Sequence, residues 1–371
     1  MPPDRPRVLV VTPDFPPELG GIQTLVHRIV RHADRLRTRV IALPAPGAER
    51  FDSVEPLDVR RSRIAARNRH VSILALNGLA SREALSFRPH VVLSAHIVAS
   101  PAALIARRLT GSSTIQYLHA DELQGRPRLT RFAVGQADAI VAVSRYTQAL
   151  AGDFGASAEK VHLILNGVDP VSQVANGGRV HEPTLLTVAR LENRYKGLDV
   201  TMRALPLVRA RVPGARWTVV GDGSLRAELE AQARSIGVEE HVRFVGSVSD
   251  EERDSWFRRA HVFVMPSRLP GSGVGGEGFG IVYLEAGAHG LPVVAGNVAG
   301  AVDAVIDGVT GVLVDPQDHI AVADALSDLL LDSEKAEALG RAGAERARTL
   351  AWPVVVRRIE DLVLEVAGRH R

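Results

Sequence analysis

Two carboxylates stand eight residues apart in the stretch Glu277-Gly278-Phe279-Gly280-Ile281-Val282-Tyr283-Leu284-Glu285. Glycines 271, 273, 275, 276, 278 and 280 loosen the approach, and Ile281 to Ala288 then reads as a helix that Gly290-Leu291-Pro292 stops. A loop feeding a helix start presents the backbone N–H groups of Gly280, Ile281 and Val282 with partial positive charge, which suits a phosphate. Glu277 falls on the lip before the helix and Glu285 roughly one to two turns inside it. Both can therefore serve one ligand at the helix mouth, one carboxylate meeting a sugar and the other the vicinal hydroxyls of a ribose. Read alone, the same residues also make an ordinary Gly-rich surface loop and two solvated glutamates.

Cations follow the same logic. The loop Ala189-Arg190-Leu191-Glu192-Asn193-Arg194-Tyr195-Lys196-Gly197 comes after the apolar run Thr184 to Val188. Arg190 and Lys196 at the C-terminal end of a strand suit a diphosphate whose charge grows as a bond to it breaks. Surface charge on an exposed loop is the plain alternative. Gly20 and Gly21 start the first helix behind a Pro-rich loop, where side-chain-free backbone lets an anion approach the amides, or where a simple turn is made. His119 ends the strand Thr114 to Tyr117, a favoured place for ligand-contacting groups in open α/β sheets, though a lone histidine is more often structural. Asn166 opens the Asn-Gly turn of Leu165-Asn166-Gly167-Val168-Asp169-Pro170.

Such positions have to be held by strands and helices, and the chain supplies them in alternation. Arg7 to Val11, Thr38 to Leu43, His90 to Ser94, Thr114 to Tyr117, Ala139 to Val143 and Val161 to Leu165 are apolar runs with helical stretches between several of them. Arg216 to Val220, Val242 to Gly246, Val262 to Pro266, Pro292 to Gly296 and Gly311 to Val314 repeat the pattern after Thr184 to Val188. Alternation of this kind predicts α/β architecture with parallel sheets covered on both faces. Ser172 to Pro183 is polar and aperiodic and reads as the linker. The resulting domains are residues 1–172, residues 183–352 and a terminal helix, 353–371, in which Val354, Val355, Ile359, Leu362, Val363 and Val366 are spaced for burial.

Composition narrows the chemistry. With 371 residues, 46% apolar, the chain can fill two cores. It has no cysteine, which removes thiolate catalysis, Cys-bound zinc and disulfides, and fits a cytoplasmic setting. No signal-peptide layout or membrane-spanning run is present in the sequence. Net charge is +3, but the basic residues are 42 Arg and three Lys, a bias that suits phosphate and anionic surfaces. Arg60, Arg61, Arg63, Arg67 and Arg69 cluster beside Ile64, Val71, Ile73 and Leu74. That stretch is expected either to rest on an anionic bilayer or to form a solvated helix face or loop.

The ordered set of the Gly20-Gly21 loop, His119, Asn166-Gly-Val-Asp169, Ala-Arg190-Leu with Lys196-Gly197, Val-Gly-Asp-Gly, and Glu277 eight residues before Glu285 resembles the retaining family-four glycosyltransferases of GT-B fold. Nearly the whole chain takes part. The likeness is greatest to bacterial phosphatidylinositol mannosyltransferases, in Asp14-Phe15-Pro16-Pro17 with Gly20-Gly21-Ile22-Gln23 and in Glu277 to Ala286. The resemblance implies two Rossmann-like domains facing across a cleft, with the terminal helix crossing back to the first. It implies that Arg190 and Lys196 hold the donor diphosphate, Glu285 the ribose and Glu277 the transferred sugar, with His119 near the reacting centre and the Gly20-Gly21 loop closing over the phosphates. Asn166 and the amides of Gly280, Ile281 and Val282 complete the expected donor site.

The implied reaction moves a hexose, mannose by preference, from a nucleotide diphosphate sugar such as GDP-mannose, or alternatively a UDP-sugar, to a hydroxyl of a lipid or small-molecule acceptor. No Asp-x-Asp occurs in the sequence, so no metal and no cofactor are expected; with no dedicated nucleophile apparent, front-face attack with retention is expected, and a double displacement through Glu277 is the alternative. A peripheral contact with the inner face of the membrane is expected, and no nucleic-acid partner. A nucleotide-sugar epimerase and a non-catalytic sugar-nucleotide binding protein share the architecture and stand as alternatives.

Overall fold

The computed structural model describes residues 5–64, 68–171, 182–271 and 275–368. The chain divides into two compact units, one of Met1–Asn166 with Trp352–Arg371 and one of Gly167–Ala351. Of the expected linker, residues 172–181 lie outside the described residues, as do Arg67 of the basic stretch and Gly273 of the glycine-rich loop.

The first unit holds a seven-stranded parallel sheet of β1 (Arg7–Val11), β2 (Arg37–Ala42), β3 (Val59–Arg61), β4 (Val91–Ser94), β5 (Ser113–Leu118), β6 (Ala139–Ala142) and β7 (Val161–Leu163). Their order is β3-β2-β1-β4-β5-β6-β7, and Leu9 of β1 lies between Arg39 and Val92 of its neighbours. Every residue of β4 and β6 is buried, which is why these strands read as unbroken apolar runs rather than alternating ones. Leu76, Ala80 and Ala84 of the helix Arg69–Phe87 join Ala102, Ala103 and Ala106 of the helix Ser100–Thr110 over Leu9 and Val92. Alanine at these facing positions lets the two helices pack closely.

Part of the basic stretch requires a correction. Val59–Arg61 is an edge strand, β3, paired to β2, whereas Arg63 lies in the loop beyond it and Arg69 opens the helix Arg69–Phe87 with its side chain exposed. Arg61 turns inward: its Nε donates to Asp52 at 2.7 Å, Nη1 to Leu43 O at 3.0 Å and Nη2 to Pro16 O at 2.5 Å. Arg60 pairs with Asp58 at 3.1 Å. Nearby acidic residues thus pair with both charges, and Arg61 leaves the surface while Arg60 stays on it.

The terminal helix, Trp352–Gly368, completes the first unit. Trp352, Val355, Val356, Ile359, Leu362, Val363 and Val366 are buried. Val354, expected among them, is 44% exposed, because 3.6-residue periodicity carries it off that stripe. Glu360 accepts a hydrogen bond from the Arg35 amide at 2.6 Å, Arg35 pairs with Asp361 at 2.5 Å, and the Ser113 hydroxyl donates to Val366 O at 3.1 Å.

The second unit holds a six-stranded parallel sheet of β8 (Thr184–Val188), β9 (Arg216–Val220), β10 (Val242–Gly246), β11 (Val262–Met265), β12 (Val293–Gly296) and β13 (Gly311–Val314), in the order β10-β9-β8-β11-β12-β13. Trp217 lies fully inside, and its indole N–H donates to Thr187 Oγ1 at 3.0 Å. Thr187 in turn donates to Val264 O at 2.5 Å, so one polar chain stitches β9, β8 and β11. Strand order reverses between β1 and β4 in one sheet and between β8 and β11 in the other, as in doubly wound Rossmann-like folds.

Candidate active site

In open α/β sheets, ligands bind beyond the C-terminal ends of the strands where the order reverses. In the second unit those strands are β8 and β11. The loop after β8 carries Arg190 and Lys196, and the one after β11 carries Glu277 and Gly280. The sequence assigns Lys196 and Glu277 to different parts of a ligand, but the structure makes them partners first: Lys196 Nζ lies 2.5 Å from Glu277 Oε2, both side chains being largely buried. A charge-assisted contact of this kind holds both groups in one geometry.

Local chain geometry explains how they meet. The turn Arg194–Lys196 ends at Gly197, whose φ of 77° lies in the left-handed region and whose Cβ, were there one, would fall 2.1 Å from Pro266 O. Only glycine lets the two loops press together there. Arg268 reinforces the contact, its amide donating to Tyr195 O at 2.7 Å and its guanidinium gripping Asp199 at 2.8 and 3.0 Å. This bidentate clamp joins residues 69 apart in sequence and leaves no local signature.

Gly280 precedes the helix Ile281–Ala288 with a φ of 86°, and a Cβ there would lie 2.4 Å from the Tyr283 ring. Tyr283 is fully packed: its hydroxyl donates to Met265 O at 2.8 Å, lies 3.0 Å from Ser267 Oγ, and is pushed up by burial. No side chain caps this helix start, so the first-turn amides of Ile281 and Val282 remain for an anion. Arg190 is exposed on its loop. Its neighbour Glu192 is held by the Ser224 hydroxyl at 2.7 Å and amide at 3.2 Å.

Glu285 sits inside the same helix and faces Arg253 of the helix Asp250–Arg259 at 3.6 Å. Burial pushes its carboxyl up; Arg253 opposes this, while Asp169, Asp250 and Asp254 add to it. The two expected glutamates therefore have different cations, Lys196 and Arg253. Arg253 lies in the acidic, arginine-rich run Asp250 to Arg259, which gave no hint of it.

In the first unit the reversal lies between β1 and β4. The helix Gly21–His32 follows β1, with Gly20 at its cap, no side-chain cap, and open space around the position a Gly21 Cβ would take. Arg61 steadies the preceding loop through Pro16 O and lies 5.6 Å over the Phe15 ring. Beyond β5, His119 Nε2 lies 2.8 Å from Ala95 O; a carbonyl only accepts, so Nε2 carries the hydrogen. Tyr117 stacks on the ring at 6.1 Å, and the His119 amide donates to Glu122 Oε1 at 2.8 Å.

Burial alone would raise the Glu122 carboxyl; His119, His96 and backbone amides overturn this and hold it below the ordinary range. His96 goes down, chiefly by burial, against the pull of Glu122 and Asp14.

Comparison with known proteins now decides the family. Residues 19–171 match the family described as Glycosyltransferase Family 4, and residues 172–346 that described as Glycosyl transferases group 1. The GDP-mannose-dependent alpha-(1-6)-phosphatidylinositol monomannoside mannosyltransferase of Mycobacterium tuberculosis is 34% identical, over 96% of this chain and 98% of that protein. Its namesake from Mycolicibacterium smegmatis is 37% identical, over 91% and 92%. The chain belongs to glycosyltransferase family 4.

Solved structures agree on the GT-B fold of this glycosyltransferase. Anabaena HepE in complex with UDP and glucose superposes with a TM-score of 0.78 at 20% identity, covering 97% of this chain and all of that one. Sucrose-phosphate synthase from Thermosynechococcus elongatus gives 0.80, also at 20% identity, over 99% and 100%. Within the glycosyltransferase, Lys196 and Glu277 are brought together, Arg190 shares their loop system, and Glu285 engages Arg253. Asn166 closes the first unit with its side-chain oxygen buried and without a hydrogen-bond partner among the described residues. Neither His96 nor Glu122 belongs to the set of site residues expected from the sequence. His96 had a usable signal, since it follows β4 by two residues much as His119 follows β5.

Proposed function

We propose that this glycosyltransferase moves mannose from GDP-mannose to a hydroxyl of a phosphoinositide glycolipid, with retention of configuration and without a metal. The donor and acceptor classes are those that name its mannosyltransferase relatives across nearly the full chain. The observation that carries the chemistry is the Lys196–Glu277 pair beside the uncapped amides of Ile281 and Val282, with Arg190 on the adjoining loop. These groups are preorganised cations and dipoles where a diphosphate gains charge as its bond to the sugar breaks. Glu285 accepts the ribose hydroxyls, and Glu277 both holds Lys196 and receives the sugar hydroxyls.

In the front-face step the acceptor hydroxyl attacks the anomeric carbon on the side from which the diphosphate departs. The carbon–oxygen bond to the diphosphate breaks, and a phosphate oxygen takes the acceptor proton. Contact with the membrane is peripheral in this reading; among the described residues no helix is long and apolar enough to cross one.

Thermal-shift screening against a panel of nucleotide sugars, followed by mass spectrometry and anomeric NMR of the product made in EDTA, tests all of this. Stabilisation by GDP-mannose and an α-mannoside product support the proposal. Preference for a UDP-sugar, epimerisation without an acceptor, a requirement for divalent cation, or a trapped glycosyl–Glu277 adduct each overturns the corresponding part.

A further inference from the structure

The first unit carries a groove of about 770 Å³ outside the loops described above, between the helices Arg69–Phe87 and Ser100–Thr110 and the start of the helix Pro127–Gln136. Its volume is that of a ligand site rather than a packing defect. Ile73, Leu74, Val98, Pro101, Ile105 and Leu129 form its walls. Leu74 is 71% exposed and Ile105 42%. A single exposed leucine has no meaning, but a concave apolar set does.

The polar groups along this groove make no demand on an occupant. Asn77 donates to Ile73 O at 2.8 Å and Val98 O at 3.0 Å and accepts from the Ala102 amide at 2.9 Å, so its amide is used within the protein. Ser81 donates to Asn77 O at 2.8 Å. Gly78 widens the groove, since a Cβ there would meet no heavy atom within 4 Å.

Charge at the rim has one sign. Arg126, Arg128 and His70 line it, and no lining residue is acidic. Neither arginine has an ion-pair partner among the described residues, unlike Arg39, Arg61 and Arg107 of the same unit. An apolar trough with unpaired guanidinium groups at one side complements an amphiphile that has a hydrocarbon tail and an anionic head.

We propose that this groove seats one fatty-acyl chain of the lipid acceptor, with the lipid phosphate against Arg126 and Arg128. The inference rests on the glycolipid reading above for the acceptor's identity, and on the groove alone for acyl-chain binding. It places recognition of the tail on helices that carry none of the donor-binding residues.

Gly78→Trp builds from an open Cβ position into the groove, away from the donor loops; an unchanged melting temperature confirms its fold. Fluorescence titration with an anionic lysophospholipid bearing a fluorescent acyl chain reads binding without any sugar transfer. The expected result is about tenfold or greater loss of affinity in Gly78→Trp, since displacing even two methylenes from an apolar site has that effect. A clear loss is also expected in Arg126→Gln/Arg128→Gln.

In transfer assays, Gly78→Trp raises KM for the acylated acceptor and leaves kcat/KM for its deacylated headgroup unchanged. Equal lysolipid affinity in wild type and Gly78→Trp overturns the proposal, as does binding that needs intact anionic vesicles and ignores the substitution. A dimer in sedimentation that Gly78→Trp dissociates overturns it too, assigning the groove to a second copy of the chain. If mannose transfer itself fails, the lysolipid titration still decides the groove.

Discussion

Glu122 and Glu285 are both carboxylates at loop or helix positions beyond strand ends, yet their surroundings drive them in opposite directions. Glu122 is held below the ordinary range, so its ionised form stabilises the fold above the unfolded pKa, and that contribution is lost as pH falls through the lowered folded value. Glu285 is pushed up, so keeping it ionised costs stability above its folded pKa, and the cost disappears below the unfolded value. Glu122→Gln should therefore lower the melting temperature at neutral pH and Glu285→Gln should raise it, both differences shrinking as pH is taken down through the carboxylate range. Scanning calorimetry from pH 7 to 4 checks the signs. Glu285→Gln should also weaken nucleotide binding in calorimetric titration, since a group kept at a stability cost is kept for a ligand.

At the scale of elements, the site is made by loops that press on one another across strand ends. Gly197 is where the loop after β8 meets Pro266, so Gly197→Ala combines a left-handed backbone with a 2.1 Å overlap. It is expected to cost more than ~1 kcal/mol by urea unfolding and to lower activity further by moving Lys196. The apolar runs made β1, β2 and β4 to β13 legible to within two residues, most plainly in β4 and β6, where burial on both faces requires continuous apolar sequence. The strand β3 was not legible. Its three residues, Val-Arg-Arg, owe their conformation to β2 and to the Asp52 and Asp58 partners rather than to their own pattern. For the same reason Arg190, Lys196, Glu277 and Glu285 could be named from spacing, while Arg253, Asp199 and Arg268 could not. Their roles exist only through contacts between segments far apart in the chain.

At the scale of the whole molecule, the first unit is discontinuous: it borrows its last helix from the end of the chain. Burial of Val355, Ile359, Leu362, Val363, Val366 and Trp352 contributes on the order of 10 kcal/mol as an upper bound, comparable to the entire stability of a domain. A chain ending at Ala351 should thus lose the cooperative unfolding of its first unit while the strands β8 to β13 keep their protection in hydrogen exchange. For the full chain, the central claim is that Lys196, fixed by Glu277, takes up charge from the departing nucleotide diphosphate. Steady-state mannose transfer from GDP-mannose to a phosphoinositide glycolipid by wild type and Lys196→Ala tests it most directly. A fall in kcat of ~10²–10³ is expected, with the acceptor KM little changed. A Lys196→Ala enzyme that turns over at the wild-type rate would contradict it.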